Sequence, residues 1–164
     1  FTCNYDAGWL STYIYRDVRG KYKMCIWDFN SACDNYSHPV TEPQHFELQH
    51  NVWYYMLSKD EDFMNAVIER YRKLRQGILS DEYLCAYMDD VTAWLGPAVD
   101  RNFSVWGYAL DKNMLSPAER NPHTHTEAVA QMKRFCTERG AWMDEHIDIL
   151  RQYSHESRNK KFNH

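Results

Sequence analysis

Asp6-Ala-Gly-Trp-Leu-Ser11-Thr-Tyr-Ile-Tyr-Arg16-Asp-Val-Arg-Gly20-Lys-Tyr-Lys-Met-Cys-Ile-Trp27-Asp28 decides the fold. Residues 11–16 are β-branched and aromatic, as strands prefer. Val18-Arg19-Gly20-Lys21 reads as a turn, with Gly20 available for a positive φ. Residues 22–27 form the return strand. An isolated hairpin is marginally stable in water, so a body must hold it. Its apolar alternation is imperfect, which predicts cover on both faces. An aspartate stands at each end of the hairpin, and a hairpin brings its ends together. The spacing alone fits two readings: a pair of turn caps, or two carboxylates sharing one site.

The rest of the chain reads as helix. Asn30 to Pro43 is rich in Ser, Asn, Asp and His and predicts a loop, long enough to be functional. Phe46, Val52, Trp53, Met56 and Leu57 predict a first helix over 44–57. Ser58-Lys-Asp-Glu61 matches a capping box for a second helix. Phe63, Val67, Ile68, Tyr71 and Leu74 give that helix its apolar stripe, and Gly77 ends it. Ser80 is a natural N-cap for a third helix through Leu84, Met88, Val91 and Leu95. Gly96-Pro97 predicts a kink or a fresh helix to Trp106. Residues 107–122 are irregular, apart from one short turn at Ser116-Pro-Ala-Glu119. Thr124-His-Thr-Glu127 caps a long last helix whose apolar stripe runs to Leu150. The polar residues 151–164 predict a frayed tail. The fold expected is mainly α with a small β-hairpin near the N-terminus, an α+β helical bundle.

The chain has 164 residues, enough for one domain with a sizeable core. Its aromatic content is 15%, which predicts large wall-building core side chains with polar tips. The net charge of −4 argues against broad binding to nucleic acid. No apolar run is long enough to span a bilayer. The opening Phe1-Thr-Cys-Asn reads as the start of a fragment, so the lack of a leader says nothing about the parent. Five cysteines without a CxxC pair disfavour a disulfide framework and a zinc site. They read as small buried hydrophobes, with Cys3 and Cys33 the pair placed for a single bridge.

His123 and His125 with Glu127 lack a further ligand at diagnostic spacing, so a capping loop is expected over a metal hydrolase site. The basic run Arg70–Arg75 is expected to be a solvated helix face. Arg101 and Arg139 stand beside aromatic residues and predict buried pairing. Trp27 is expected to pack in the core instead of stacking on a nucleobase. No GxGxxG, Walker lysine, GxSxG or HExxH motif occurs.

Asn4-Tyr-Asp6, Ser11-Thr-Tyr-Ile-Tyr-Arg-Asp17, Gly20-Lys21 and Ile26-Trp-Asp28-Phe29 together resemble the CotH kinase family, atypical protein kinases similar to spore coat protein H. Downstream, Asp62-Phe63, Glu69-Arg70-Tyr71-Arg72-Lys73-Leu74-Arg75, Leu79-Ser80, Arg101-Asn102-Phe103 with Trp106, and Lys133-Arg134-Phe135-Cys136-Thr137-Glu138-Arg139 with Trp142-Met143-Asp144 follow in the family's order. The resemblance covers residues 4–150 and implies a protein-kinase-like C-lobe over 1–150. It implies that Asp6 is the catalytic-loop aspartate and Asp28 the metal aspartate. Ser11 falls where ordinary kinases place a metal-binding Asn. It implies ATP with Mg²⁺ or Mn²⁺ as cofactors, and a protein substrate with Ser or Thr acceptors in a coat or cell envelope. An extracytoplasmic or spore-coat location follows from the resemblance alone.

The chain departs from the family pattern in three places. Asn30 stands where the family repeats an acid, leaving it as a neutral auxiliary metal donor. Cys33-Asp34 replaces the family's Phe-Gly. The nucleotide-clamping N-lobe has no counterpart here, and neither Lys21 nor Lys23 matches its lysine. No cofactor-binding residue is therefore assigned, and the fragment alone is expected to be inactive. The alternative reading is a pseudokinase that serves as a non-catalytic envelope or coat interaction module.

Overall fold

A computed structural model of the chain describes residues 1–4, 6–8, 10–37, 46 and 52–154. Strands β1 (Thr12–Arg16) and β2 (Tyr22–Ile26) pair antiparallel, from Thr12 opposite Ile26 to Arg16 opposite Tyr22. Helices α1 (Val52–Leu57), α2 (Glu61–Arg75), α3 (Asp81–Leu95), α4 (Pro97–Trp106) and α5 (His125–His146) follow. The fold is mainly α with one small hairpin, as the periodicity predicts. No helix among the described residues is long and apolar enough to cross a membrane.

The hairpin turn forms where expected, by a different device. Gly20 N–H donates to the Asp17 carbonyl at 2.8 Å. Arg19, not Gly20, takes the left-handed conformation, with φ 64°. Position 20 is tight for a side chain: a Cβ there would lie 3.2 Å from the Asp17 carbonyl oxygen. Arg16 closes the turn by donating to the Gly20 carbonyl at 2.9 Å and lying over the Tyr22 ring.

Among the described residues the expected cover over the hairpin is absent. Ile14, Tyr22, Met24 and Ile26 are all more than half exposed. Trp27 is 60% exposed and meets Tyr13 edge-on at 5.8 Å, so it is no core residue. Both faces are exposed, with Tyr13 and Tyr15 on one and Ile14, Tyr22, Met24 and Ile26 on the other.

The main core lies between α2, the end of α5 and a 3-10 segment, Ile147–Tyr153, that continues it. Met64, Ile68, Ile147 and Leu150 are sealed from solvent. The buried stripe of α2 runs through Met64, Ile68 and Tyr71, while Phe63 is 36% exposed. The buried face of α2 thus keeps Ile68 and Tyr71 of the expected stripe and takes Met64 in place of Phe63. A second cluster joins Cys3, Phe135 and Cys136, with Leu84 and Met88 of α3 against it. Past Leu150 the helical path runs on to Tyr153, and Arg151 docks on Asn65 at 3.0 Å. The remaining tail, 155–164, and the expected first-helix residues 44–45 and 47–51 lie outside the described residues.

Three helix starts were legible, and one was misplaced. Ser80 accepts from Tyr83 N–H, and Thr124 accepts from Glu127 N–H. Pro97 opens α4 after Gly96, whose φ is +46°. For α2 the cap is Asp60, which accepts from Phe63 N–H at 2.7 Å. Ser58 is buried and donates back to the Tyr55 carbonyl instead. The short turn expected at Ser116–Glu119 forms as a 3-10 turn, Ala118–Arg120, without a side-chain cap.

The basic run of α2 is not uniformly solvated. Arg72 is exposed and pairs with Asp148 at 2.5 Å. Arg75 is different, with a side chain only 15% exposed. It reaches Asp144 of α5 at 2.9 Å, Asp81 at the start of α3 at 2.7 Å, and the Leu79 carbonyl at 2.6 Å. Its guanidinium lies against Gly140, where a Cβ would fall 2.4 Å from Arg75 Nη2. Tyr71 donates to Asp144 at 2.7 Å beside it, and burial with that bond pushes its phenol well up. One cation thereby fastens α2, α3 and α5 together.

Candidate active site

The hairpin positions the acidic residues from the backbone upward. Thr12 and Ile26 are the last paired residues, so the chain before Thr12 and after Ile26 leaves from one end. The Asp6 carbonyl accepts from Leu10 N–H at 3.1 Å and Ser11 N–H at 3.2 Å. That turn folds Asp6 back onto the start of β1. Gly8, at φ +79°, donates to Thr12 Oγ1 at 2.6 Å and holds the turn shut. Ser11 is 5% exposed, beneath the turn. Asp28 follows β2 in a left-handed conformation, φ 49° and ψ 60°, and opens a 3-10 turn, Phe29–Ser31. Aspartate tolerates this region better than most residues.

A buried seam joins the segment that precedes β1 to the segment that follows β2. Ser31 Oγ donates to Asn4 Oδ1 at 2.8 Å, and both residues are under 9% exposed. Cys33 N–H donates to the Thr2 carbonyl at 2.8 Å. The Asp6 and Asp28 segments are therefore cross-linked both through the strand ladder and through this seam. Asn4 belongs to the quoted motif, but its partner was not legible: Ser31 is remote in sequence and has no periodic signal.

The segment after Asp28 has a second anchor. Cys33 and Asp34 both take positive φ, 56° and 64°. Such a conformation costs about 1 kcal/mol per residue. It is offset by Arg120, which holds the Asp34 carboxylate bidentately at 2.7 and 3.0 Å and its carbonyl at 2.6 Å. Both side chains are largely shielded. Arg120 gave no sequence signal, because it sits in an irregular stretch.

Asp6 is half-buried on the wall of a cavity of about 930 Å³. Leu10, Phe29, Phe63, Arg70 and Tyr71 share that wall, which is predominantly apolar. The side of α2 read as its core stripe partly lines this space. Asp28 and Asn30 are exposed, and neither Asp6 nor Asp28 engages a cationic side chain among the described residues. The Asn30 backbone carbonyl accepts from Asn35 Nδ2 at 2.7 Å.

The oxygen donors suit a hard divalent cation. Such ions commonly take one or two protein carboxylates and fill the other positions with water and phosphate. Asp28 supplies an accessible charge, Asn30 a neutral oxygen and Ser11 a shielded hydroxyl. Among the described residues no group of three or more His, Cys, Asp or Glu could hold a metal by itself. A cation here would therefore depend on oxygens brought by a ligand.

The weaker candidates fall into structural roles. His123 approaches the Leu110 carbonyl at 3.1 Å, and its N–H is capped by Glu127. His125 packs by Phe103. Arg139 is 2% exposed, donates to the Phe1 carbonyl and lies against Phe46 and Trp142. Arg101 is exposed, so the expected burial does not hold for it. It projects from α4, which buries no residue of its own.

Residues 1–143 match a family model described as CotH kinase protein. No curated protein and no solved structure matches the chain.

Proposed function

The chain belongs to the CotH kinase family, and we propose that it supplies the catalytic and metal-binding aspartates of a Mg²⁺- or Mn²⁺-dependent protein Ser/Thr kinase. The observation that carries this reading is the seam from Asn4 to Ser31, which joins the Asp6 and Asp28 segments at their buried side. Phosphoryl transfer is chiefly positioning and charge neutralisation, so two carboxylates held in fixed relation are the needed parts. Asp6 orients the acceptor hydroxyl and takes its proton. Asp28 holds the cation, with Asn30 and Ser11 as auxiliary oxygens. When bound, the cation neutralises charge between the nucleotide's phosphate oxygens. The apolar wall beside Asp6 limits water around the acceptor. No residue of this chain is assigned to clamp the nucleotide; the proposal concerns the acceptor and cation sides of the reaction.

A second reading is a pseudokinase that keeps the shape as an interaction module. It draws on Asn30, which lowers the charge at the metal side, and on Asp34, which is engaged by Arg120. Calorimetry of the full-length protein with Mn²⁺ and ATP separates the two. The kinase reading predicts metal-dependent nucleotide binding that Asp28→Asn weakens at least tenfold. No binding at millimolar nucleotide would favour the interaction module.

A further inference from the structure

We propose that the outer face of α3 is a docking surface for an extended, arginine-rich segment of another protein. The inner face of this helix is already occupied. Leu84 and Met88 pack on the smaller core cluster, Asp81 pairs with Arg75, and Asp89 pairs with Lys133 of α5 at 2.5 Å. Tyr83, Tyr87, Asp90 and Trp94 fall on the other side, within about 60° of arc at helical spacing. Tyr83 is 47%, Tyr87 58% and Trp94 84% exposed, and Asp90 is exposed with them. The Tyr83 and Tyr87 rings stack nearly parallel, 6.3 Å apart, so the aromatic surface is ordered. Single exposed aromatics are ordinary, but three in register on one face mark an interaction surface.

Charge selects the occupant. Helix α3 carries four carboxylates, Asp81, Glu82, Asp89 and Asp90, and no cationic side chain. Asp81 and Asp89 are paired, whereas Asp90 engages no cation among the described residues. The last turn holds no basic residue either, so the negative end of the helix dipole beside Trp94 is uncompensated. Asp90 and Trp94 are neighbours one turn apart. A guanidinium is planar and weakly hydrated, so it can lie on the indole while donating to the carboxylate, which an ammonium does less well.

The same charge rejects the other occupants. Phosphates of nucleic acid or of anionic lipid are repelled, and a second copy docked face to face would set this acidic face against itself. The stripe from Tyr83 to Trp94 is about 17 Å long, which an extended segment of about five residues spans. Alternate side chains of such a segment point to one face, so arginines at every second position meet the stripe. None of Tyr83, Tyr87, Asp90 and Trp94 lines the cavity beside Asp6. The surface is independent of the roles given to Asp6 and Asp28, and its failure would leave that reading standing.

The probe is a short fluorescently labelled peptide of alternating arginine and glycine, titrated with the full chain and followed by anisotropy. Trp94→Ala should weaken binding about tenfold, and Asp90→Asn about threefold or more. Both residues are exposed, so both variants should keep the parent's melting midpoint. Glu119→Gln removes the same charge from an exposed site off α3 and should leave binding unchanged. A lysine–glycine peptide should bind about threefold more weakly than the arginine peptide. Absence of binding by the arginine peptide, or equal losses in Asp90→Asn and Glu119→Gln, would overturn the proposal. So would sedimentation of the chain as a dimer that Trp94→Ala dissolves, because the face would then belong to a second copy.

Discussion

Asp6→Ala in the full-length protein should lower phosphate transfer to Ser or Thr by about 10²- to 10⁴-fold, the range for losing a positioned general base. Nucleotide binding and the melting midpoint should stay within about 1 °C and twofold of the parent, because surface changes rarely exceed about 0.5 kcal/mol. The turn at Asp6 is held by its carbonyl, which accepts from Leu10 and Ser11, and not by its carboxylate. Truncation therefore removes the charge and leaves the loop. A radiolabelled transfer assay beside a thermal melt reads both quantities. Retained activity would remove Asp6 from the reaction. Loss of activity together with the fold would make its role structural.

Arg75→Ala should cost about 2–4 kcal/mol, read as a lower midpoint in urea. Its shielded guanidinium meets two carboxylates and a carbonyl on separate elements. Asp81 and Asp144 are 40% and 45% exposed, so water softens their loss of a partner, and the figure stays below that of a sealed pair. Gly140→Ala should act through the same contact. Its methyl would fall 2.4 Å from Nη2 and lift the guanidinium from both acids. Gly140→Ala alone should therefore cost about 1–3 kcal/mol. In the Arg75→Ala background it should become neutral or stabilising by up to about 1 kcal/mol, since Ala is the better helix residue. Additive losses in the double variant would show that Gly140 is tight for another reason.

What was legible in the sequence was what is decided locally. The strands, the caps at Ser80 and Thr124, and the Gly96-Pro97 break each follow from a few adjacent residues. The misplaced cap shows the limit of that logic. Ser58 and Asp60 both offer a side-chain acceptor near the start of α2, and Ser58 was drawn instead to the Tyr55 carbonyl. Alternation registers apolar residues and not what faces them, so it predicts a covered hairpin although Ile26 and Trp27 are exposed.

The site shows the same division. The motifs around Asp6 and Asp28 were legible as short strings. The contacts that fix them were not, because Asn4 with Ser31 and Asp34 with Arg120 join stretches far apart in sequence. Arg75 looked like its basic neighbours on α2. Its burial depends on Gly140, a residue with no pattern of its own.

The central claim is that the Asp6 and Asp28 segments form one cation-dependent site. Titrating this chain with Mn²⁺ while following backbone amide NMR signals tests it most directly, since the paramagnetic ion broadens amides close to it. Broadening that begins at Asp6, Ser11 and residues 28–30, and disappears in Asp28→Asn, is the predicted result. Broadening that begins at other acidic surfaces, such as Asp89-Asp90 on α3, and survives Asp28→Asn would contradict it.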